Sequence, residues 1–326
     1  MERAEIRIAG KTFYAPTAEI QGRPVVVTGR WLRRAVIKDE DVAQGESVER
    51  PNLFLEQLKR SPLRADILSF SQKIPDTTPR YNYRFQWDNW AVVPTKTYNE
   101  WWERVPQETR KNVRRAAKRG VSVCSVNFDD ELVRGIQGIY NETPIRQGRR
   151  FWHFGKNFET VKHESSTYLD RSEFICAYFN EELIGFIKLI YVDRVATVIH
   201  ILSKNAHQDK RPINAMLAKA VEVCAEKGIS FLIYGKYTYD RNENSPLTEF
   251  KRRNGFDEIR YPRYLIPLTV KGRLAIWLGL HHGLKGLIPR STVNLLRGVR
   301  SWFYQRRYAG EQTLALRANP VESSAV

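Results

Sequence analysis

The sequence predicts an α+β fold, in which a mixed and mostly antiparallel sheet is flanked by helices. Three observations support this class. From residue 107 onward, helix and strand patterns follow the order α, β, α, loop, β, β, β, α, β, α, β. The three successive strands of residues 173–203 are joined by short turns, which makes them antiparallel neighbours. A helix then separates strands 195–203 and 229–236, and such a crossover places two strands in parallel.

The sequence of residues 1–96 predicts a smaller β-rich lobe ahead of this series. The segment EIRIAGKTFY alternates across a turn near Gly10, and the β-branched run after Pro24 predicts a further strand. The other elements expected in this lobe are a polar loop, a short helix and two strands, at residues 37–50, 52–60, 66–73 and 81–93.

Residues 97–270 hold the main series of elements, and punctuating residues mark the helix ends. Pro106 separates a first helix from the basic helix 107–119, and Gly120 is the natural residue to follow its end. The later helices are bounded by Asp129 and Asn141, by Pro212 and Gly228, and by Ser245 and Gly255. Residues 142–170 show no clean periodicity, and so long a connection is more often functional than filler.

Composition excludes several classes of protein. Hydrophobic residues make up 42% of the 326 residues, which excludes a disordered chain. The three cysteines form no CxxC pair, so we expect no disulfide framework and a reducing compartment. No apolar run approaches the roughly 20 residues of a membrane-spanning helix, and the first residues show no secretory pattern. We expect a cytoplasmic protein, either soluble or peripheral on the inner face of the membrane.

The net charge of +17 is concentrated in two blocks. Residues 110–119 hold six basic residues and no acid, and residues 259–310 hold ten basic residues and no acid. The first block is either a solvated helix face or a site for phosphate, nucleic acid or anionic lipid. We expect residues 271–326 to form a basic, amphipathic, helical extension. This tail either lies on an anionic membrane or packs on the body of the protein.

Several segments of residues 97–270 resemble a known fold. RKNVRRAAKRGVSV is similar to the K-x-R-R-N-x-R-R-A-x-x-x-G segment of the FemAB-like branch of the Gcn5-related N-acetyltransferase (GNAT) fold. RPINAMLAKAVEVCAEKGISFLIYGK and LTEFKRRNGFDEIRYPRYLIPL look like later parts of that branch, in the same order. The second of these contains the F-K element and the closing strand. The resemblance implies a GNAT-type sheet, with residues 1–96 as a degenerate companion lobe.

This branch contains aminoacyltransferases and acyltransferases, so the resemblance implies an N-acyltransferase. The expected acceptor is an amine of a sugar, lipid or cell-envelope precursor, including a nucleotide-linked or lipid-linked sugar. The expected donor is acyl-CoA, in particular acetyl-CoA, with aminoacyl-tRNA as the alternative. No metal is expected, because no His and Cys spacing suggests a zinc site.

The residues around the start of the helix that Pro212 opens are the expected cofactor contacts. In branch members that use acetyl-CoA, a glycine-rich loop presents backbone N–H groups to the pyrophosphate. Here Asp209, Pro212 and Asn214 occupy that spacing, and Pro212 has no N–H to donate. The side chains of Lys210 and Arg211 are therefore expected to contact phosphates instead.

Three residues complete the predicted cofactor site. Ser203 ends the strand before this loop, and Asn214 lies in the first turn of the helix. Lys251 corresponds to the lysine of the F-K element in the resemblance. Its ammonium either holds a phosphate or caps a helix terminus.

Acyl transfer needs a deprotonated amine, a stabilised oxyanion and a protonated leaving group. Glu142 is either a general base or substrate contact, or an ion-pair partner of one of the arginines that follow it. His153 has a suitable ordinary pKa for catalysis, and its alternative is a structural role. Tyr237 is the predicted proton donor among the three tyrosines that follow the buried strand, and the alternative is that these tyrosines only pack.

A second hypothesis is a non-catalytic, basic, nucleic-acid-binding protein. Two basic blocks with interleaved aromatic residues fit this class. However, the sequence contains no recognised binding motif, and its charge lies in two separated segments. The acyltransferase is therefore preferred, and nucleic acid enters only as an alternative partner in the form of tRNA.

Overall fold

The computed structural model of the chain describes residues 2–8, 11–43, 48–239 and 245–282. The strands of this described part are β1 (Arg3–Ile8), β2 (Lys11–Ile20), β3 (Arg23–Thr28), β4 (Arg34–Ile37), β5 (Ile67–Ser71), β6 (Phe85–Pro94), β7 (Ser122–Val126), β8 (Ile145–Arg146), β9 (Arg149–Arg150), β10 (Ser172–Phe179), β11 (Glu182–Val192), β12 (Val195–Ser203), β13 (Phe231–Ile233) and β14 (Asp257–Pro267). Its α-helices are α1 (Glu40–Ala43), α2 (Pro51–Arg60), α3 (Tyr98–Arg104), α4 (Gln107–Lys118), α5 (Asp130–Tyr140), α6 (Phe158–Ser165), α7 (Pro212–Glu226), α8 (Pro246–Arg253) and α9 (Val270–Trp277). Short 3₁₀ turns lie at Leu169–Arg171, Asn205–Lys210 and Leu280–His282.

Twelve of the described strands form one sheet. Their order is β1-β2-β3-β4-β5-β14-β6-β13-β12-β11-β10-β7, and β8 with β9 forms a separate hairpin. Within the described ranges, the parallel pairs are β4 with β5 and β12 with β13, and the other pairs are antiparallel. The predicted α+β class, with a mixed and mostly antiparallel sheet and flanking helices, is confirmed.

The predicted parallel crossover is also confirmed. α7 begins at Pro212 and returns the chain to β13 beside β12. The strand expected at residues 229–236 is shorter, because β13 spans three residues and Gly235 takes a left-handed φ of 55°. Tyr234 and Gly235 still exchange backbone hydrogen bonds with Ala91 of β6. The segment after β13 therefore follows β6.

One sheet spans both predicted lobes. β6 belongs to residues 1–96, yet it lies between β14 and β13 from the later part of the chain. β14 pairs with β6 from Asp257 to Tyr264 and with β5 from Arg263 to Pro267. The two lobes therefore share strands along one continuous sheet. The division at residue 96 stays a prediction.

Side chains alternate between the two faces of the sheet, which assigns the helices to faces. In β10, Ile175 packs in the cluster under α7, whereas Phe174 packs in the cluster under α5 and α6. In β5, Leu68 packs in the cluster of α2, whereas Ile67 packs with α9. α7 therefore lies opposite α5 and α6, and α2 lies opposite α9.

Two segments predicted as irregular contain short regular elements. Residues 37–50 include α1, whose buried Glu40 accepts hydrogen bonds from the backbone N–H of Ser71 at 2.7 Å and from its hydroxyl at 3.0 Å. The connection of residues 142–170 contains the β8–β9 hairpin and α6. Elements this short carry too little apolar periodicity to be recognised from sequence.

The predicted tail of residues 271–326 is described only as far as residue 282. In this part, α9 packs on β14 and leads into the last 3₁₀ turn. The membrane prediction for residues 283–326 lies outside the described residues. No helix within the described ranges combines the length and the apolar character needed to cross a bilayer.

Candidate active site

β12 and β13 separate near the N-terminal end of α7. Their parallel pairing covers only Val195–Thr197 of β12. A bulge at Ile199 then interrupts the register of β12 with β11. A bulge bends its strand and increases the local twist. β12 continues to Ser203 without β13 beside it, so the sheet divides between these two strands.

Arg146 ties the end of β12 to the turn before α7. Its Nη1 donates to the carbonyl of Ser203 at 2.9 Å, and its Nη2 donates to the carboxylate of Glu142 at 3.0 Å. The Glu142 oxygens also accept the backbone N–H groups of Asn205 at 2.7 Å and Ala206 at 2.9 Å. The structure thus brings Glu142 and Ser203 together. Glu142 forms the ion pair that was its alternative, and its role as a general base stays a prediction.

The two predicted phosphate features meet at the start of α7. Arg119, which follows α4, donates to the backbone carbonyl of Asp209 at 2.7 Å and to its carboxylate at 2.8 Å. The ammonium of Lys210 lies 3.6 Å from that carboxylate and 4.6 Å from the ring centre of Phe179. Arg211 is exposed and occupies the N-cap position of α7, where its side chain makes no capping hydrogen bond. Arg119, Lys210 and Arg211 are called the basic corner below.

An exposed basic face of α4 leads to this corner. Lys111, Arg115 and Lys118 are exposed and fall on one side of the helix by their spacing. No carboxylate in the described part of the chain pairs with these three side chains. Arg110, in contrast, contacts Glu103 at 3.2 Å. Both alternatives for the basic helix, a solvated face and an anion site, are compatible with this arrangement.

Lys251 is buried, with 1% of its surface exposed. Its Nζ donates to the backbone carbonyl of Lys236 and lies 4.6 Å and 5.0 Å from the ring centres of Tyr234 and Tyr239. Among the described residues, no carboxylate pairs with it. Desolvation lowers the pKa of Lys251 to about 8. Lys251 therefore caps a carbonyl after β13 and not a helix terminus, and its amine titrates close to neutral pH.

A cleft of about 670 Å³ lies where β6 extends beyond the end of β13. We call it the Asp88 cleft, and its lining includes Arg84, Trp87, Asp88, Lys236, Tyr239 and His281. Asp88 accepts two 2.8 Å contacts from the ammonium of Lys236 and one of 3.0 Å from Nε of Arg263. Burial alone would raise the pKa of Asp88, but Lys236 and Arg263 lower it below its ordinary value. Asp88 is therefore held in place as an ionised carboxylate.

Arg263 holds the floor of this cleft to α1. Its Nη1 lies 3.2 Å from the carboxylate of Glu40, and its Nη2 lies 2.8 Å from that of Asp41. Burial opposes the charged form, but Asp41 and Glu40 raise the pKa of Arg263 well above its ordinary value. Arg263, which belongs to the later lobe, therefore binds three acids of the predicted N-terminal lobe near the centre of the sheet.

Neither Asp88 nor this cleft was among the features predicted from sequence. One signal was available, because Asp88 is the single acid in the aromatic and apolar segment of residues 81–93. A carboxylate in such a strand is buried at a cost unless it is paired. Partners in distant segments were therefore to be expected.

Tyr237 and His153 lie on opposite faces of the sheet. Tyr237 packs against the cluster under α7, and its pKa is raised by burial. Tyr239, not Tyr237, lines the Asp88 cleft. His153 is buried beside the α5 cluster, with its ring centre 4.2 Å from that of Tyr140 and 6.0 Å from that of His200. The structure does not bring these two candidates together, and their catalytic roles stay predictions.

Asn214 reaches away from the turn that precedes it. Its Nδ2 donates to Oδ1 of Asn254, at the end of α8, at 2.9 Å. The side chain thus links α7 to α8, and its predicted cofactor contact stays a prediction. No group of three or more potential metal ligands occurs among the described residues.

Comparison with solved structures identifies the fold. FemX matches with a TM-score of 0.53 and 13% identity, over 81% of this chain and 88% of its own. The C-terminal domain (DUF2156) of a protein assigned as a lysylphosphatidylglycerol synthetase from Agrobacterium fabrum gives 0.53 and 13%, over 81% and 87%. L-PGS from Bacillus licheniformis gives 0.53 and 14%, over 84% and 90%. No protein-family model matches this chain, and no curated protein matches it significantly in sequence. The FemAB-like GNAT fold that the motifs resemble is confirmed.

Proposed function

We propose that this chain is a transferase that moves an acyl or aminoacyl group from a phosphate-bearing donor to an amine of a lipid or cell-envelope precursor. The shared fold of FemX and L-PGS supports this class. The name lysylphosphatidylglycerol synthetase, carried by another protein of this fold, is that of an enzyme that makes an aminoacylated lipid. A sugar amine is the alternative acceptor.

The observation that carries the proposal is the separation of β12 from β13 beside the basic corner. Past Thr197, these two strands no longer satisfy each other's backbone groups in the described chain. Such strand edges bind an extended molecule through hydrogen bonds. The uncapped N–H groups of α7, with Lys210 and Arg211, favour a phosphate at the same end. A donor with an extended arm and a phosphate would bind the strand edges through its arm and the start of α7 through its phosphate.

Lys251 supplies the charge that the reaction needs. When a neutral amine attacks an acyl carbonyl, negative charge develops on the carbonyl oxygen and then on the leaving group. A buried ammonium acts strongly on such charge because the surrounding dielectric is low. With a pKa of about 8, Lys251 is also able to give a proton to the leaving group near neutral pH, and the proton that the amine nitrogen loses as the amide forms restores the ammonium.

The Asp88 cleft is the proposed acceptor site. Lys251 contacts Lys236 and Tyr239, and both line this cleft. Trp87 and Arg84 add an aromatic wall and a cation. An acceptor with a sugar or a phosphate near its amine fits such a lining, because aromatic faces bind sugars and cations bind phosphates.

Two donors fit the basic corner, and substitutions on the exposed basic face of α4 distinguish them. Acyl-CoA is small enough to use the corner alone, whereas tRNA is a long polyanion that would also contact the exposed lysines and arginine of α4. We therefore measure acyl-CoA binding by thermal shift and aminoacyl-tRNA binding by filter retention. The variants are Arg211→Glu at the corner and Lys111→Glu with Lys118→Glu on α4, with Lys162→Glu on α6 as the control.

Each donor gives a different pattern of losses. An acyl-CoA donor requires that Arg211→Glu weakens binding and that the α4 variant does not. An aminoacyl-tRNA donor requires that both variants weaken binding, while the control on the opposite face leaves it unchanged. Binding of neither donor would sink the proposed donor site. Tight tRNA binding without any transfer would favour the nucleic-acid-binding hypothesis instead.

A further inference from the structure

The outer face of α9 is apolar and exposed. Val270, Leu274, Trp277 and Leu278 fall on one side of the helix, because they are spaced by four, seven and eight residues. Val270 is 81% exposed and Trp277 is 73% exposed. Leu274 and Leu278 are also among the exposed large hydrophobic side chains. Contiguous exposed apolar side chains of this kind mark a surface that binds something.

The helix is packed firmly while it presents this face. A Cβ atom added to Gly272 would lie 1.9 Å from the carbonyl oxygen of Asp66, so the helix backbone lies directly against the start of β5. Ala275 and Ile276 are buried on the same inner side. The exposed side chains are therefore a feature of the folded surface and not of a loosely attached helix.

Trp31 extends the apolar surface beyond the helix. Its side chain is 63% exposed, and the ammonium of Lys271 lies 5.5 Å from its ring centre. The neighbouring Leu32 packs with Ile276 in the small cluster under α9. Trp31 is thus held beside α9, and an indole lies at each end of the surface. Trp31, Val270, Leu274, Trp277 and Leu278 are called the α9 face below.

Exposed cations lie on the segments that form the α9 face. Arg30, which precedes Trp31 in sequence, and Lys271 and Arg273, which belong to α9, are exposed. The carboxylate that pairs with Lys271, Asp66, is buried beneath the helix, at 3.2 Å from the ammonium. Asp66 therefore does not contribute an exposed negative charge. A partner of this surface meets apolar side chains, indoles and positive charge together.

We propose that the α9 face docks this protein onto an anionic lipid surface. Tryptophans and leucines enter the boundary between headgroups and acyl chains, and lysines and arginines contact the lipid phosphates. Each cation near an anionic bilayer contributes about 1 kcal/mol of attraction, which falls off within a Debye length. The combination on one packed helix is that of a peripheral membrane site.

Charge favours a lipid over the chain's own C-terminal segment as the occupant. Residues 283–310 contain six basic residues and no acid. Packing that segment on a face edged by Arg30 and Arg273 would bring like charges together, whereas an anionic bilayer attracts both. A second copy of this face would meet the same repulsion.

The chain runs directly from the α9 face to the Asp88 cleft. His281 lies four residues after Trp277 and lines that cleft. A protein docked through the α9 face would hold the edge of its cleft close to the lipid headgroups. The proposal does not rest on the proposed function, because lipid binding is measured without any transfer.

The test is flotation of the full chain with vesicles of phosphatidylcholine, or of equal parts phosphatidylcholine and phosphatidylglycerol. We expect binding to the anionic vesicles, weakened by salt, and little binding to the neutral ones. The double variant L274E/W277E should lose binding about tenfold or more, because two acids replace two inserted side chains. Leu53→Glu is the control, since Leu53 is exposed on α2 at the opposite face of the sheet.

Each outcome decides the proposal. Loss of binding in L274E/W277E, with an unchanged melting temperature and normal binding of Leu53→Glu, supports the α9 face. Undiminished binding of the double variant overturns the proposal. So does a double variant whose only change is faster proteolysis after residue 282, because the C-terminal segment would then cover this face. A dimer that disappears in the double variant, without any vesicle binding by the native chain, would assign the face to a second copy.

Discussion

Replacing Lys251 by methionine is expected to change the pH dependence of stability in a defined direction. The pKa of Lys251 is lowered to about 8 by burial, whereas an unfolded lysine titrates near 10.4. Between these values the unfolded chain binds a proton that the folded chain has released, so the stability of the native protein rises with pH. Below pH 8 both states are protonated, and the cost of burying the charge is complete.

The size of this effect follows from the shift. A difference of about 2.4 pKa units corresponds to about 3 kcal/mol at 1.36 kcal/mol per unit. Lys251→Met lacks this titration. Between pH 8 and about pH 10.5, the unfolding free energy of the unsubstituted protein should therefore rise by about 3 kcal/mol relative to that of the variant. At pH 7 the variant no longer buries a charge, but it also loses the hydrogen bond to Lys236. Because these two effects oppose each other, the two proteins should be similar in stability.

The assay is urea denaturation of both proteins across this pH range, with Lys219→Met as a control of opposite sign. Glu222 raises the pKa of Lys219, so its contribution is present at neutral pH and is lost as the pH rises through the folded value. The gap between the native chain and Lys251→Met should widen with pH, while the gap for the control narrows. A gap for Lys251→Met that stays constant or narrows would refute the reasoning.

Three further predictions concern stability and reactivity. Asp88→Asn should lower the unfolding free energy by about 3 kcal/mol, because it leaves buried Arg263 without one of its carboxylates. The control is Asp257→Asn, which removes an exposed ion pair and should lower the unfolding free energy in urea by less than about 1 kcal/mol. Equal losses in the two variants would count against a buried network. Cys124 should be the one thiol that reacts rapidly with a disulfide reagent, since burial raises the pKa of the other two cysteines to about 12; rapid reaction of more than one thiol would contradict this. Gly272→Ala should lower the melting temperature by several degrees, through a clash with the backbone worth about 1–3 kcal/mol, and an unchanged transition would show that α9 is not packed as described.

Features that depend on residues within one element could be predicted from sequence. Asp129 was expected to cap a helix, and its carboxylate accepts the backbone N–H of Leu132 at 2.8 Å. Pro212 begins α7, as its fixed φ favours at a first helical position. The short turns of residues 173–203 gave the meander of β10, β11 and β12. In each case the pattern and the structure it determines lie within a few residues of each other.

The candidate site depends on contacts that no local pattern contains. Asp88 meets Lys236 and Arg263 from sequence separations of 148 and 175 residues. These contacts require β13 and β14 to pair with the two sides of β6, which is a property of the whole sheet. Lys251 was identified through the F-K element, but the burial that lowers its pKa depends on packing against residues outside α8, among them Tyr234 and Tyr239. Tertiary packing, and not composition, thus decides which polar residues become unusual.

Transfer of a labelled group tests the central proposal most directly. The native chain and Lys251→Met are incubated with radiolabelled acyl-CoA or aminoacyl-tRNA and an extract of lipids and envelope precursors, and labelled amide products are counted. We expect the native chain to transfer label from one donor, and Lys251→Met to lose about 100-fold in rate or more while it still binds that donor. No transfer from either donor, or equal transfer by both proteins, would contradict the assignment of this fold and this buried lysine to acyl transfer.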